Sequence, residues 1–116
     1  MQRFEQLQLE DGTTLNDNKP IEKWLYASQF SWLLECELDN VKLRVKDGIV
    51  YWTSGILYWG NWKWGVFESG EFRSGTWNGG IWMSGTFKGK WINGVFKDGT
   101  FDGEKIAGEF PQESIK

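Results

Sequence analysis

From Gly55 onward the chain repeats every five residues, with glycine first and a large apolar residue third. The units run Gly55-x-Leu57, Gly60-x-Trp62, Gly65-x-Phe67, Gly70-x-Phe72, Gly75-x-Trp77 and Gly80-x-Trp82. They continue through Gly85-x-Phe87, Gly89-x-Trp91, Gly94-x-Phe96 and Gly99-x-Phe101. A period of five excludes a helix, because each third-position ring would advance about 140° around a 3.6-residue helix and smear over its surface. Glycine in every turn would also destabilise it. In β geometry the unit reads as a three-residue strand followed by a two-residue turn drawn from Ser69-Gly70, Ser74-Gly75, Gly79-Gly80, Ser84-Gly85, Asn93-Gly94 and Asp98-Gly99. Glycine supplies the positive φ such turns need. The pattern therefore predicts a mostly β protein, an antiparallel meander of very short strands with one continuous aromatic face.

The units occupy the middle of a 116-residue chain, long enough for one core. Residues 1–48 read as N-terminal hairpins with a possible short helix, 49–103 as the glycine-aromatic repeat, and 104–116 as a tail, all within one structural domain. In the first segment Leu34, Cys36 and Leu38 alternate with Glu35 and Glu37. Asp39-Asn40 then reads as a turn into Val41, Leu43 and Val45, with Lys42 and Arg44 facing the acidic residues across the wet side. Asp47-Gly48 and Ser54-Gly55 read as further turns, and Leu7 and Leu9 before Asp11-Gly12 as another hairpin. From Pro20 to Leu33, Ile21, Trp24, Leu25, Ser28 and Trp32 share a helical face, while Phe30 and Leu33 do not; helix and strand both remain open there. Such an element would cover the aromatic sheet.

Gly89-Lys-Trp91-Ile-Asn93-Gly94 and Gly94-Val-Phe96-Lys-Asp98-Gly99 resemble the front half of a MORN (membrane occupation and recognition nexus) repeat. That resemblance implies an antiparallel repeat sheet acting as a scaffold or dimerisation module. The family's second half is missing from the pattern, so its proposed lipid binding does not carry over. The spacing of Gly70 to Phe72, a small residue two before a large central one, also resembles pentapeptide-repeat proteins, which implies a right-handed square β-solenoid. Tandem glycine-aromatic pentads are similar, too, to small phage and bacterial proteins, which implies such a source.

Chemistry is sparse. There is no histidine, which removes Ser-His and Cys-His pairs and the commonest metal ligand. Cys36 is the only cysteine and alternates inward, so it reads as a buried thiol. No disulfide is possible within the chain, and the expected compartment is the cytoplasm. No apolar run is long enough to span a membrane. The three segments carry −3, +1 and −1, which offers no basic field for direct nucleic-acid binding. No catalytic residue, cofactor or metal is expected.

The third-position rings read as core. Trp59 and Trp64 break the rule, standing in the fifth position where other full-length units have Ser, Gly, Asn or Asp. Tyr58, Trp59, Trp64 and Arg73 therefore form the candidate binding surface, able to stack a sugar, a base or a partner's side chain. The leading expectation is a non-enzymatic interaction or scaffold module, an accessory or inhibitor protein that binds a protein partner or its own copy. The alternatives are a small-ligand binder for a nucleotide or glycan, and an acidic mimic of nucleic acid. Lys105 to Phe110 are expected to cap the last strand edge or pair with a partner, with Pro111 stopping the ladder.

Overall fold

The computed structural model describes residues 3–110. Five conventional elements come first: β1 (Phe4–Gln8), β2 (Thr14–Asn16), α1 (Asn18–Tyr26), β3 (Glu37–Lys46) and β4 (Ile49–Trp59), with a 3₁₀ turn over Ser31–Glu35 before β3. β1 pairs antiparallel with β2 around the Asp11-Gly12 turn, placing Leu7 opposite Leu15, and pairs parallel with β3. β3 and β4 form an antiparallel hairpin through Asp47-Gly48, whose φ angles of 53° and 73° are both positive, as a primed two-residue turn requires. Ile21 and Leu25 of α1 are buried against this sheet, and helix followed by 3₁₀ turn resolves the ambiguous segment after Pro20.

Two expected turns are absent. Asp39-Asn40 does not reverse the chain: the register shifts there inside one continuous β3, and Asn40 takes φ 52°, the signature of a bulge. β4 likewise runs through Ser54-Gly55. The charges expected to face each other along that hairpin find other partners. Arg44 bonds Glu68 at 3.2 Å and Lys42 approaches Glu5 at 3.4 Å.

The pentads form a parallel β-solenoid, and the antiparallel meander is overturned. Each two-residue rung pairs parallel with rungs 14 or 15 residues away, so three pentads make one coil. The first wall stacks Tyr51–Trp52, Val66–Phe67, Ile81–Trp82 and Val95–Phe96, with Glu109 bridging to Val95. The second wall stacks Ile56–Leu57, Glu71–Phe72, Thr86–Phe87 and Thr100–Phe101. The third stacks Asn61–Trp62, Thr76–Trp77, Lys90–Trp91 and Glu104–Lys105. Three walls, not the four of a square solenoid, enclose the core.

The cause lies in the corners. A type I′ hairpin turn needs positive φ at both central residues and a type II′ turn at the first, but in Ser69-Gly70, Ser84-Gly85, Asn93-Gly94 and Asp98-Gly99 only the second residue, the glycine, has it. The chain turns a third of a circle at each corner instead of reversing. The N–H of a unit's second residue then donates to the carbonyl of the glycine one coil below, as Ile81 does to Gly65 at 2.9 Å. The fourth residue donates to the third, as Met83 does to Phe67 at 2.8 Å. A Cβ on Gly94, whose φ is 121°, would lie 2.6 Å from the Gly80 carbonyl oxygen, so the corner ladder admits no side chain.

Inside, each wall contributes a column of rings. Trp62, Trp77 and Trp91 stack at 4.8 Å per step with nearly parallel planes. Trp52, Phe67, Trp82, Phe96 and Phe110 form a second column at 4.1 to 6.0 Å. Neighbouring columns meet edge to face, as Trp77 does with Trp82 at 5.6 Å. Five buried indole N–H groups, those of Trp52, Trp62, Trp77, Trp82 and Trp91, have no hydrogen-bond acceptor among the described residues, and these edge-to-face contacts are the compensation the rings can offer. Trp32 of the 3₁₀ turn lies edge-on to Trp62 at 5.2 Å and covers the start of the third column.

The repeat also outlasts its expected end at Gly103. Gly103-Glu104-Lys105 and Gly108-Glu109-Phe110 supply further rungs on the third and first walls. Lys105 and Phe110 thus extend the ladder on two walls and do not cap the Thr100–Phe101 strand as was expected, whereas Pro111 lies outside the described residues.

Candidate functional site

Among the described residues no polar or charged residue is buried. None of them forms a group of three or more acidic or Cys side chains arranged to hold a metal ion. Cys36 is buried beside Gly60, its Sγ directed at the Trp32 carbonyl at 3.7 Å. Burial pushes its thiol pKa up, more than the Asn61 backbone hydrogen bond and the nearby Arg3 charge lower it, so the thiol stays protonated and weakly nucleophilic. Among the described residues no helix is long and apolar enough to cross a membrane.

The four residues singled out in the sequence do not converge. Tyr58 and Arg73 meet, the guanidinium lying 5.0 Å from the ring centroid while its Nε donates to Glu71 at 3.2 Å. Trp59 is 55% exposed at the corner joining the second and third walls. Trp64 is 52% exposed at the next corner, between the third and first walls. One wall of the prism separates the two indoles, because five residues are one side of the coil. Tyr58 instead faces a hollow of about 490 Å³ with Arg3, Glu35 and Glu37, on the N-terminal side.

Three surface hollows compete. The one at the N-terminal sheet, about 550 Å³, is lined by Trp24, Phe30 and Glu10 among others. The Glu10 carboxylate is already engaged, accepting from the Asp47 and Gly48 N–H groups at 3.0 and 3.3 Å, so that side chain staples the turn. In the Tyr58 hollow Arg3 is committed to Glu22 and to the carbonyls of Leu34 and Cys36. The third, about 530 Å³, starts at Trp64 and runs up the corner past Asn78, Gly79, Ile81, Asn93, Val95 and Glu109.

That third groove opens because no other large ring stands above Trp64 on this corner. Above Trp64 the equivalent positions are Gly79, Asn93 and Ala107. Gly79 lies directly against the Trp64 indole: a Cβ there would come within 3.3 Å of Trp64 Cδ1. Asn78 Nδ2 donates to the Trp62 carbonyl at 2.9 Å and to Asn61 Oδ1. Among the described residues the side chains of Asn93 and Glu109 have no hydrogen bond or ion pair. Only Trp64 of this set is visible when units are compared five residues apart. Compared one coil apart, at 15 and then 14 residues, the run Trp64, Gly79, Asn93 marks the corner.

No protein-family model, curated protein or solved structure matches this chain.

Proposed function

We propose that the chain is a non-enzymatic interaction module whose C-terminal end pairs with a protein, in the first instance a second copy of itself. The observation that carries this reading is the state of the last coil. Among the described residues, Thr100–Phe101 and Glu104–Lys105 pair only with the rungs below them, Thr86–Phe87 and Lys90–Trp91. Phe101 and Phe110 are half-buried where their counterparts one coil below are sealed, and Ile106 is 53% exposed. At this level the third column holds Lys105, with its Nζ 4.7 Å from the centroid of the Phe110 ring, instead of another Trp.

An end of this kind offers backbone donors and acceptors to an incoming strand, and ring surface beside them. The sealed interior supports the same reading, since it leaves surface presentation as the function available to the prism. Sedimentation of the full chain across micromolar to sub-millimolar concentrations tests it. The expected result is a concentration-dependent dimer that Ile106→Lys disrupts without changing the circular dichroism spectrum. A chain that stays monomeric throughout, and retains no protein from a cell lysate, contradicts it.

A further inference from the structure

We propose that the groove running from Trp64 to Glu109 binds a neutral oligosaccharide, with Trp64 as the stacking platform for one sugar ring. The site is separate from the C-terminal pairing end, and the proposal does not depend on that end's role.

The platform is held in place. Trp64 packs against Gly79 on the coil above, so its indole is fixed on one side while remaining 52% exposed on the other. An exposed, immobilised indole presents a flat apolar surface to the C–H face of a pyranose at little entropic cost. The apolar side of the groove continues upward through Ile81 and Val95, both half-buried.

The polar groups favour hydroxyl donors. Asn78, Asn93 and Glu109 line the groove, and their amide and carboxylate oxygens are acceptors that can meet the hydroxyl donors of a polyol. Among the described residues no Lys or Arg lines the groove. A phosphate would meet Glu109 without a compensating cation, so nucleotides and single-stranded nucleic acid fit poorly.

Length and direction remove two further occupants. Val66, Ile81, Val95 and Glu109 are successive rungs, so Trp64 and Glu109 stand three strand spacings apart, about 14 Å. One ammonium group cannot contact both, because a cation–π contact acts within about 6 Å. An extended peptide would need free main-chain groups, but along the groove they are spent within the ladder. Ile81, Val95 and Glu109 N–H groups donate to Gly65, Gly80 and Gly94 carbonyls at 2.9, 2.9 and 2.8 Å. An elongated neutral ligand with an apolar ring face and outward hydroxyls matches what remains. The volume of about 530 Å³ lies in the ordinary range for small-ligand sites.

The test is titration of the full chain with maltohexaose, cellohexaose and chitohexaose, followed by Trp fluorescence and by amide shifts in ¹⁵N-labelled protein. At least one should bind with micromolar to millimolar affinity and shift the amides of Trp64, Gly79 and Asn93. Trp64→Ala should weaken that binding about tenfold or more, whereas Trp59→Ala should leave it unchanged. Asn93→Ala, at an exposed position, gives a second reading with a smaller loss of affinity. The proposal is overturned if all three sugars leave the Trp64 corner unshifted at millimolar concentration. It is equally overturned if Trp59→Ala abolishes binding while Trp64→Ala does not, or if the corner binds an oligonucleotide in preference to the sugars.

Discussion

The N-terminal sheet and the prism bury apolar side chains by opposite means. β3 and β4 are ten and eleven residues long, and the inward residues of β3 are ordinary aliphatics, Leu38 before the bulge and Val41, Leu43 and Val45 placed by alternation after it. The prism's rungs are two residues long and carry one inward ring each, as in Thr76–Trp77. A strand that short has no alternation to specify its face. Its position is fixed by the glycine corners beside it and by the rungs above and below, 14 or 15 residues away. The first region is therefore specified locally and the second by stacking.

The sharpest way to break the comparison is at a corner. Gly94→Val places a β-branched side chain at φ 121° and against the Gly80 carbonyl, so the chain should fail to fold or lose more than about 4 kcal/mol in urea denaturation. Gly12→Val, at φ 90° in an open turn where a Cβ meets nothing within 4 Å, should cost clearly less.

The next effect concerns the columns. Trp77 is stacked between Trp62 and Trp91 and touches Phe72, Trp82 and Phe87 edge to face. Trp77→Ala should cost about 3–5 kcal/mol. Replacing Leu43 by Met in the N-terminal sheet should cost less than about 1.5 kcal/mol, because an aliphatic core tolerates a volume-conserving exchange. Equal losses for the two would mean that the ring columns are no more specific than the aliphatic core.

Smaller effects come from ionisation. Because the folded Cys36 pKa is raised above its ordinary 9.0, the folded state holds the proton more tightly than the unfolded one. That contribution is full below the ordinary value and is lost as pH rises through the folded pKa. Cys36→Ala should flatten the alkaline decline, and native Cys36 should resist alkylation until denaturant is added. The weakest effect belongs to Arg44, which joins β3 to the first coil through Glu68 with both side chains over a third exposed. Arg44→Ala should cost no more than about 1 kcal/mol, with a loss that shrinks in salt.

The β class, the inward rings, the Asp47-Gly48 turn and the buried Cys36 were legible because each depends on residues close together in the sequence. Pairing direction was not, since a one-sided aromatic pattern fits both a meander and a solenoid. The missing signal is a period of fifteen. Every third ring from Trp62 is again Trp through Trp91, and Ser69 and Ser84 share a corner where each hydroxyl donates to a carbonyl one coil below. The two shortened units, Gly85–Lys88 and Gly99–Asp102, both fall on the second wall, which keeps the coils in register. The candidate surface was half legible: Trp64 stood out as an exception, but Asn93 and Glu109 join it only after the chain has coiled.

Backbone NOEs in the full chain test the central claim most directly. A parallel three-walled solenoid predicts contacts linking Val66 to Ile81 and Ile81 to Val95, together with Thr76 to Lys90. Contacts between successive pentads instead, with Phe67 opposite Phe72 and Phe72 opposite Trp77 across antiparallel pairs, would contradict it.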